Sequence, residues 1–246
     1  MSQQPGTSVS ATEKAAMVEA MFDRIARRYD LMNDVMTGGT HRFWKAATLR
    51  ALGNRRHANV LDVATGTGDL ALTLAATSRT ARVVGLDFSA QMLARAGVRG
   101  QNAAATHVGR LTWTRGDALN LPFADHAFSA ATSAFALRNV ADLGQMFREL
   151  ARVLGPGGRV ALLDLVPIPD PPIWTRLAQL HLRQVVPRVG AYLVGDAAAY
   201  LYLPTSVGSL PPLPDILEML TAAGFADVRR RLFGLGTVAL ITGTKR

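Results

Sequence analysis

The feature that most constrains this chain is Leu61-Asp62-Val63-Ala64-Thr65-Gly66-Thr67-Gly68-Asp69, where a β-branched run passes into a helical one through two glycines. Gly66 and Gly68 let the backbone come close to a ligand at the carboxyl end of a strand, where doubly wound sheets bind nucleotides. Asp87 closes the next strand pattern, 19 residues beyond Gly68. A carboxylate there can accept both ribose hydroxyls of an adenosine ligand. Taken alone, the loop also fits a dinucleotide fingerprint, because Gly66, Gly68 and Ala71 match G-x-G-x-x-A.

Three further features favour an adenosine ligand with a cationic amino-acid end over a dinucleotide. Asp62 stands just before the glycine loop, where it repels a pyrophosphate and attracts an ammonium group. Gly116-Asp117-Ala118 follows the third strand pattern, where a short acidic turn can receive an adenine amino group. The chain closes on two adjacent strand patterns, a trait of methyltransferases rather than dehydrogenases. Asp and Gly are also ordinary turn formers, so the weight lies in three such sites at the ends of successive strands.

The rest of the pattern sets the fold class. Strand patterns at 59–64, 81–87, 111–115, 127–134 and 158–165 alternate with helical ones near 69–77, 89–100 and 142–154. Strand and helix alternating at this spacing predict an α/β, doubly wound, Rossmann-like sheet that is mostly parallel. Pro156-Gly157-Gly158 predicts a tight turn into the fifth strand. A helix over 213–223 ends at Gly224. Strands 225–233 and 237–243, joined through Gly234 and Gly236, predict an antiparallel C-terminal hairpin. The boundaries expected are a disordered lead over 1–15 and one domain over 16–246. That domain begins with a helical segment over 16–50 (the helical pattern itself runs 11–32) and carries a helical insertion over 173–203 as a substrate cap.

Composition excludes several classes. The chain has 246 residues, 49% of them hydrophobic and 18% charged, which suits a globular protein. No run reaches the ~18 apolar residues of a spanning helix; the stretch 160–169 is broken by Asp164. No secretory signal is read at the N-terminus. With no cysteine, disulfides, thiol catalysis and thiolate metal sites are excluded, and no metal site is expected. The expected location is cytoplasmic, with peripheral contact on the inner face of the cell membrane as a second reading. The net charge of +9 is carried almost wholly by scattered arginines, apart from Arg229-Arg230-Arg231. It reads either as a solvated surface or as attraction to anionic lipid, and no nucleic-acid partner is expected.

Beyond the glycine loop, the informative segments are Phe22-Asp23-Arg24-Ile25-Ala26, Tyr29-Asp30-Leu31-Met32-Asn33 and Gly39-Thr40-His41-Arg42-Phe43-Trp44-Lys45. They continue with Asp87-Phe88-Ser89, Gly116-Asp117-Ala118, Phe135-Ala136-Leu137-Arg138-Asn139 and Arg152-Val153-Leu154-Gly155-Pro156-Gly157-Gly158. On these residues the chain resembles the ubiquinone/menaquinone biosynthesis C-methyltransferases from Met21 onward. Two positions depart from the family: Ala239-Leu240-Ile241-Thr242 stands where a His is usual before the closing Gly-x-Lys, and Ala134 where some members have serine.

The resemblance implies S-adenosyl-L-methionine as cofactor, with Asp62, Thr65, Gly66, Thr67, Gly68, Asp87, Phe88, Asp117 and Ala118 around it. It implies methyl transfer to a ring carbon of a lipophilic demethylated quinol. A homodimer is a separate expectation, from reading the apolar segment 173–203 as a dimer interface. A phenol of pKa ~10 is mostly neutral at neutral pH, so a base or a stabilising cation should face the ring. Arg138, Asn139, His41 and Tyr29 are the candidates, with Arg138 as the phenolate stabiliser. Each has a plainer role open to it: Arg138 as a structural hydrogen-bond fork, His41 as a packing or helix-start residue. Asp170-Pro171-Pro172 mimics an amino-methyltransferase motif, but it follows the fifth strand rather than the fourth and reads as a loop.

Overall fold

Strands β1 (Asn59–Val63), β2 (Arg82–Asp87) and β4 (Phe128–Ala134) are short and buried on both faces over most of their length, the signature of parallel strands covered by helices on either side. A computed structural model describes residues 19–24, 26, 29–53, 58–77, 82–102, 110–167 and 206–246. Its helices are α1 (Tyr29–Thr37), α2 (His41–Ala51), α3 (Asp69–Thr77), α4 (Ala90–Asn102), α5 (Leu143–Val153) and α6 (Leu213–Ala222). Strands β3 (Leu111–Arg115), β5 (Leu154–Leu165), β6 (Phe225–Phe233) and β7 (Val238–Lys245) complete one seven-stranded sheet of order β3-β2-β1-β4-β5-β7-β6.

The first five strands pair in parallel, while β7 lies antiparallel between β5 and β6. The predicted hairpin is therefore present, with its later strand inside and β6 on the edge. Helix α6 stops at Gly224, whose φ of +100° only glycine adopts readily.

Two apolar layers sandwich the sheet. On one face α5 and α6 bury Met146, Phe147, Leu150, Ile216 and Leu220 against Leu61, Val63 and Leu162. On the other, α2 and α3 bury Ala47, Ala71 and Leu74 against Val60, Val83, Ala161 and Leu163. Helix α5 shows why such a segment folds as it does. Leu143, Met146, Phe147, Leu150 and Val153 recur at helical spacing on its buried face, and the Asp142 side chain caps it by accepting from Gln145 N at 2.9 Å.

Two expectations needed correction. The turn expected at Pro156-Gly157-Gly158 does not precede β5 but lies within it. Leu154 already pairs with Phe128, and a register shift between Phe128 and Ala130 absorbs Pro156 and Gly157 (φ +72°) as an irregularity within β5. The N-terminal pattern over 11–32 is not one helix: residues 19–24 are helical, and α1 begins afresh at Tyr29. The expected lead over 1–15 and insertion over 173–203 lie outside the described residues.

Candidate active site

The carboxyl ends of β1 to β4 enclose a cavity of about 550 Å³, within the range that small-molecule sites occupy. Ala64 and Gly66 after β1, Asp87 and Phe88 after β2, Asp117 and Ala118 after β3, and Ala134, Phe135 and Asn139 after β4 all line it. Two non-glycine residues on this rim adopt the left-handed region, Ala64 at φ +53° and Phe135 at φ +61°. Each sits where its strand ends, and Phe135 N is held by the Leu163 carbonyl at 2.7 Å. Such backbone gathers at ligand sites because the surrounding sheet can hold it there.

The glycine loop is shaped by its contacts. Thr65 N donates to the Leu86 carbonyl at 2.9 Å, tying the turn to β2. Gly68 has φ +86°, and a Cβ there would come within 2.6 Å of the Trp113 ring and 3.2 Å of Ala96 Cβ. Glycine is required at 68 both by conformation and by the approach of α4 and β3.

Asp87 is 5% exposed; Gly66 N donates to one of its oxygens at 2.7 Å and Ser89 N to the other at 3.0 Å. Burial pushes its carboxyl up to about 6. Among the described residues it has no cationic partner. A buried, cavity-lining carboxylate with free lone pairs fits a pair of ribose hydroxyls, and the apolar Phe88 and Met92 beside it fit an adenine ring. Asp117 accepts from Leu119 N at 2.9 Å, which fixes the acidic turn after β3. That turn is braced from below by a bidentate pair: Arg152 Nε and Nη2 donate to Glu149 at 2.8 Å each, and Glu149 accepts from Leu121 N at 2.7 Å. Hydrogen bonding to Arg152 holds the Glu149 carboxyl below its ordinary value.

Other sequence-predicted residues lie near the cavity without lining it. Asp62 is 1% exposed, and its two oxygens accept from the Thr65 hydroxyl at 2.6 Å and the Thr132 hydroxyl at 2.7 Å. Burial raises its carboxyl to about 6. It and Thr65 hold the loop in shape from behind. Thr67 turns away: its hydroxyl meets Asp30 at 2.8 Å and Arg99 at 2.8 Å.

The candidates for ring chemistry separate. Asn139 lines the cavity; its Nδ2 donates to the Phe135 carbonyl at 3.3 Å, and its Oδ1 is buried without a hydrogen-bond partner. Arg138 does not face the cavity, contrary to the expectation that it meets a phenolate. Its guanidinium is 8% exposed and paired with Asp164 at 2.5 Å, and its centre lies 5.8 Å from the centroid of the Phe135 ring. The local reason is the short helical turn Leu137–Asn139, which carries Arg138 toward β5, where Asp164 also accepts from Arg138 N at 3.2 Å. His41 is 3% exposed, with Nδ1 at 2.8 Å from the Thr37 hydroxyl, and burial lowers its pKa. It sits between α1 and α2 rather than on the cavity wall. Tyr29 begins α1.

The sequence reading missed the cavity residues Glu19 and Phe22, and it missed Asp164. The signal for Asp164 was present, since a lone carboxylate in an otherwise apolar strand must find a buried partner. No group of acidic or histidine side chains among the described residues could hold a metal ion.

Comparison with known proteins agrees with this geometry. The model of the ubiE/COQ5 methyltransferase family matches residues 9–245. The demethylmenaquinone methyltransferase of Roseiflexus sp. (strain RS-1) is 40% identical over 234 residues, 95% of each chain. The ubiquinone/menaquinone biosynthesis C-methyltransferase UbiE of Paracoccus denitrificans (strain Pd 1222) is 38% identical over 239 residues, 97% of this chain and 94% of that one. Among solved structures, a SAM dependent methyltransferase from Aquifex aeolicus superposes with a TM-score of 0.61 at 15% identity, covering 88% of this chain and 98% of that one, a likeness of fold. With a family model spanning nearly its whole length, the chain belongs to the ubiE/COQ5 methyltransferase family.

Proposed function

We propose that this protein methylates a ring carbon of a demethylated quinol, a demethylmenaquinol or a ubiquinone precursor, with S-adenosylmethionine as donor. The names of its relatives support the substrate class. The observation that carries the reading is Asn139 Oδ1, a buried acceptor without a partner in a wall otherwise made of Ala134, Phe135, Ala136, Val140 and Ala141. An apolar ring bearing a hydroxyl complements such a wall: the ring meets the alkyl and aromatic groups, and its O–H donates to the amide oxygen.

Bound in the cavity, S-adenosylmethionine would supply an electrophilic methyl group to a ring carbon and leave as S-adenosylhomocysteine, the proton displaced from that carbon passing to solvent water. The chain's own part is mainly to position the two reactants. In this reading Asp87 accepts the ribose hydroxyls, Asp117 and Ala118 meet the adenine, and Gly66 lets the backbone approach. Asn139 holds the quinol oxygen and so orients the ring. Arg138 acts behind the wall, fixing with Asp164 the turn that carries Asn139.

The test is methyl transfer from S-adenosylmethionine to a short-tailed, reduced demethylated naphthoquinol or benzoquinol in detergent, read by mass spectrometry of the product ring. Asn139→Ala is expected to lower kcat/KM about tenfold to a hundredfold, the range for losing a hydrogen bond of ~1–3 kcal/mol, with unchanged affinity for S-adenosylmethionine. Methylation at oxygen, turnover only on substrates lacking a quinol, or full activity of the variant would overturn the proposal.

A further inference from the structure

A second surface stands at the cavity end of the sheet, on the opposite flank from β3. The turn Gly234–Gly236 joins β6 to β7, and Val238, which opens β7, pairs with Leu165, which closes β5. The turn therefore projects from the carboxyl end of the parallel strands, the end at which the cavity lies. Helix α2 packs beside it, with the Phe43 ring edge-on to Phe233 at 5.9 Å between centroids.

This corner gathers two of the five large apolar side chains that are exposed among the described residues, Leu235 at 62% and Phe43 at 56%, while Leu232 lies on the other face of β6. Beside them runs the exposed edge strand β6 with Arg229, Arg230 and Arg231. Among the described residues no carboxylate pairs with any of these three arginines, and Arg231 lies 5.0 Å from the Phe233 ring centroid. Arg42, next to Phe43, is tied to Asp34 at 2.8 Å and adds less.

We propose that this corner, formed by the Leu235 turn, Phe43 and the arginines of β6, docks the protein on an anionic lipid surface with the cavity end of the sheet toward the membrane. The chemistry selects the occupant. A nucleic acid would take the arginines but leave Leu235 and Phe43 in water. A second copy pairing along β6 would bring like charges against each other, which edge strands use to prevent such pairing. A bilayer accepts both parts, apolar tips among the acyl chains and guanidinium groups at the phosphates. The net charge of +9 favours the same partner. The purpose of the docking rests on the quinol reading, since a lipophilic quinol is drawn from lipid, but the docking itself is measured without substrate.

Flotation of the full chain with phosphatidylcholine vesicles, with and without a share of phosphatidylglycerol, tests it. Binding is expected only to the anionic vesicles and to weaken with salt. Arg229→Gln with Arg231→Gln, the two on the Phe233 face of β6, should weaken it about 25-fold, from roughly fivefold for each arginine near the surface. Leu235→Asn with Phe43→Ser should weaken it about tenfold. Asn tolerates the φ of +58° at position 235, so the fold should survive, and unchanged melting curves check this. Methyl transfer to a detergent-dispersed short-tailed quinol should stay at the wild-type level in both variants, while transfer to a vesicle-embedded long-tailed quinol falls.

Three results would overturn the docking proposal: no flotation of the wild type with anionic vesicles, flotation of the variants equal to wild type, or a solution dimer that the variants dissociate. Intact, variant-sensitive flotation without transfer to either quinol would sink the quinol reading and leave the docking standing.

Discussion

Asp87→Asn should move two measurements in opposite directions. Burial raises the Asp87 carboxyl from 3.8 to about 6. A carboxyl raised on folding contributes stability that is present below its unfolded value and lost as pH rises through its folded one, so at neutral pH the buried charge weakens the ligand-free fold. The shift corresponds to about 3 kcal/mol. Asn removes that charge, but its single oxygen can serve only one of Gly66 N and Ser89 N, returning about 1–2 kcal/mol. The ligand-free variant is therefore expected to be about 1–2 kcal/mol more stable than wild type by urea denaturation at neutral pH. Titration calorimetry should show the reverse for S-adenosylmethionine. Charged hydrogen bonds contribute ~1.5–3 kcal/mol, so losing one to the ribose raises Kd about tenfold to 150-fold. Wild-type affinity should decline as pH falls through about 6, while the variant's stays flat. A Kd close to wild type, or a ligand-free variant less stable than wild type, would refute the reasoning.

Two other perturbations test the scaffold. Asp164→Ala leaves the Arg138 guanidinium buried and unpaired and should cost about 3–5 kcal/mol of unfolding free energy, while Arg138→Met with Asp164→Leu should recover much of it. Asp69 is pushed up by burial, but the Lys45 ammonium at 2.7 Å and the Arg99 guanidinium outweigh this and hold it at about 2. A depressed carboxyl contributes above its unfolded value of 3.8 and loses that contribution as pH falls toward about 2. Asp69→Asn should thus cost about 2 kcal/mol near neutrality, and the gap from wild type should close in acid-denaturation curves over that window.

The sheet was legible because its parallel strands are short runs set between helical patterns, the first three of them leading into a glycine or aspartate turn. Helix α3 matches its predicted span over 69–77, and α4, α5 and α6 match theirs within two residues. What the pattern could not supply was the direction in which a loop side chain turns. Thr65 and Thr67 lie two apart on the glycine loop, yet one hydroxyl meets Asp62 and the other Asp30. Arg138 and Asn139 are neighbours, yet one is turned to Asp164 and the other to the cavity. A short helical turn separates consecutive side chains by roughly a third of a circle, so adjacency in a motif does not imply a shared target. Asp164 carried a legible signal of a different kind: a carboxylate in a core strand demands a partner, though nothing local names Arg138.

The N-terminal segment brings motif and fold together. Glu19 accepts from Arg115 at 2.8 Å, Asp23 from the Ser89 hydroxyl at 2.5 Å, and Asp30 from the Thr67 hydroxyl at 2.8 Å and from Arg99 at 3.2 Å. Three acids on one segment thus reach the loops after β3, β2 and β1 in turn, with Phe22 on the cavity wall among them. Arg115 is 63% and Asp30 47% exposed, and each such exposed contact contributes only ~0–1 kcal/mol. Met21 and Ala26 of the same span are buried, and this apolar packing adds to the hold. Thr67 and Ser89 thus stand in the cofactor motifs with their hydroxyls donated to Asp30 and Asp23, which ties the N-terminal segment to the loops after β1 and β2.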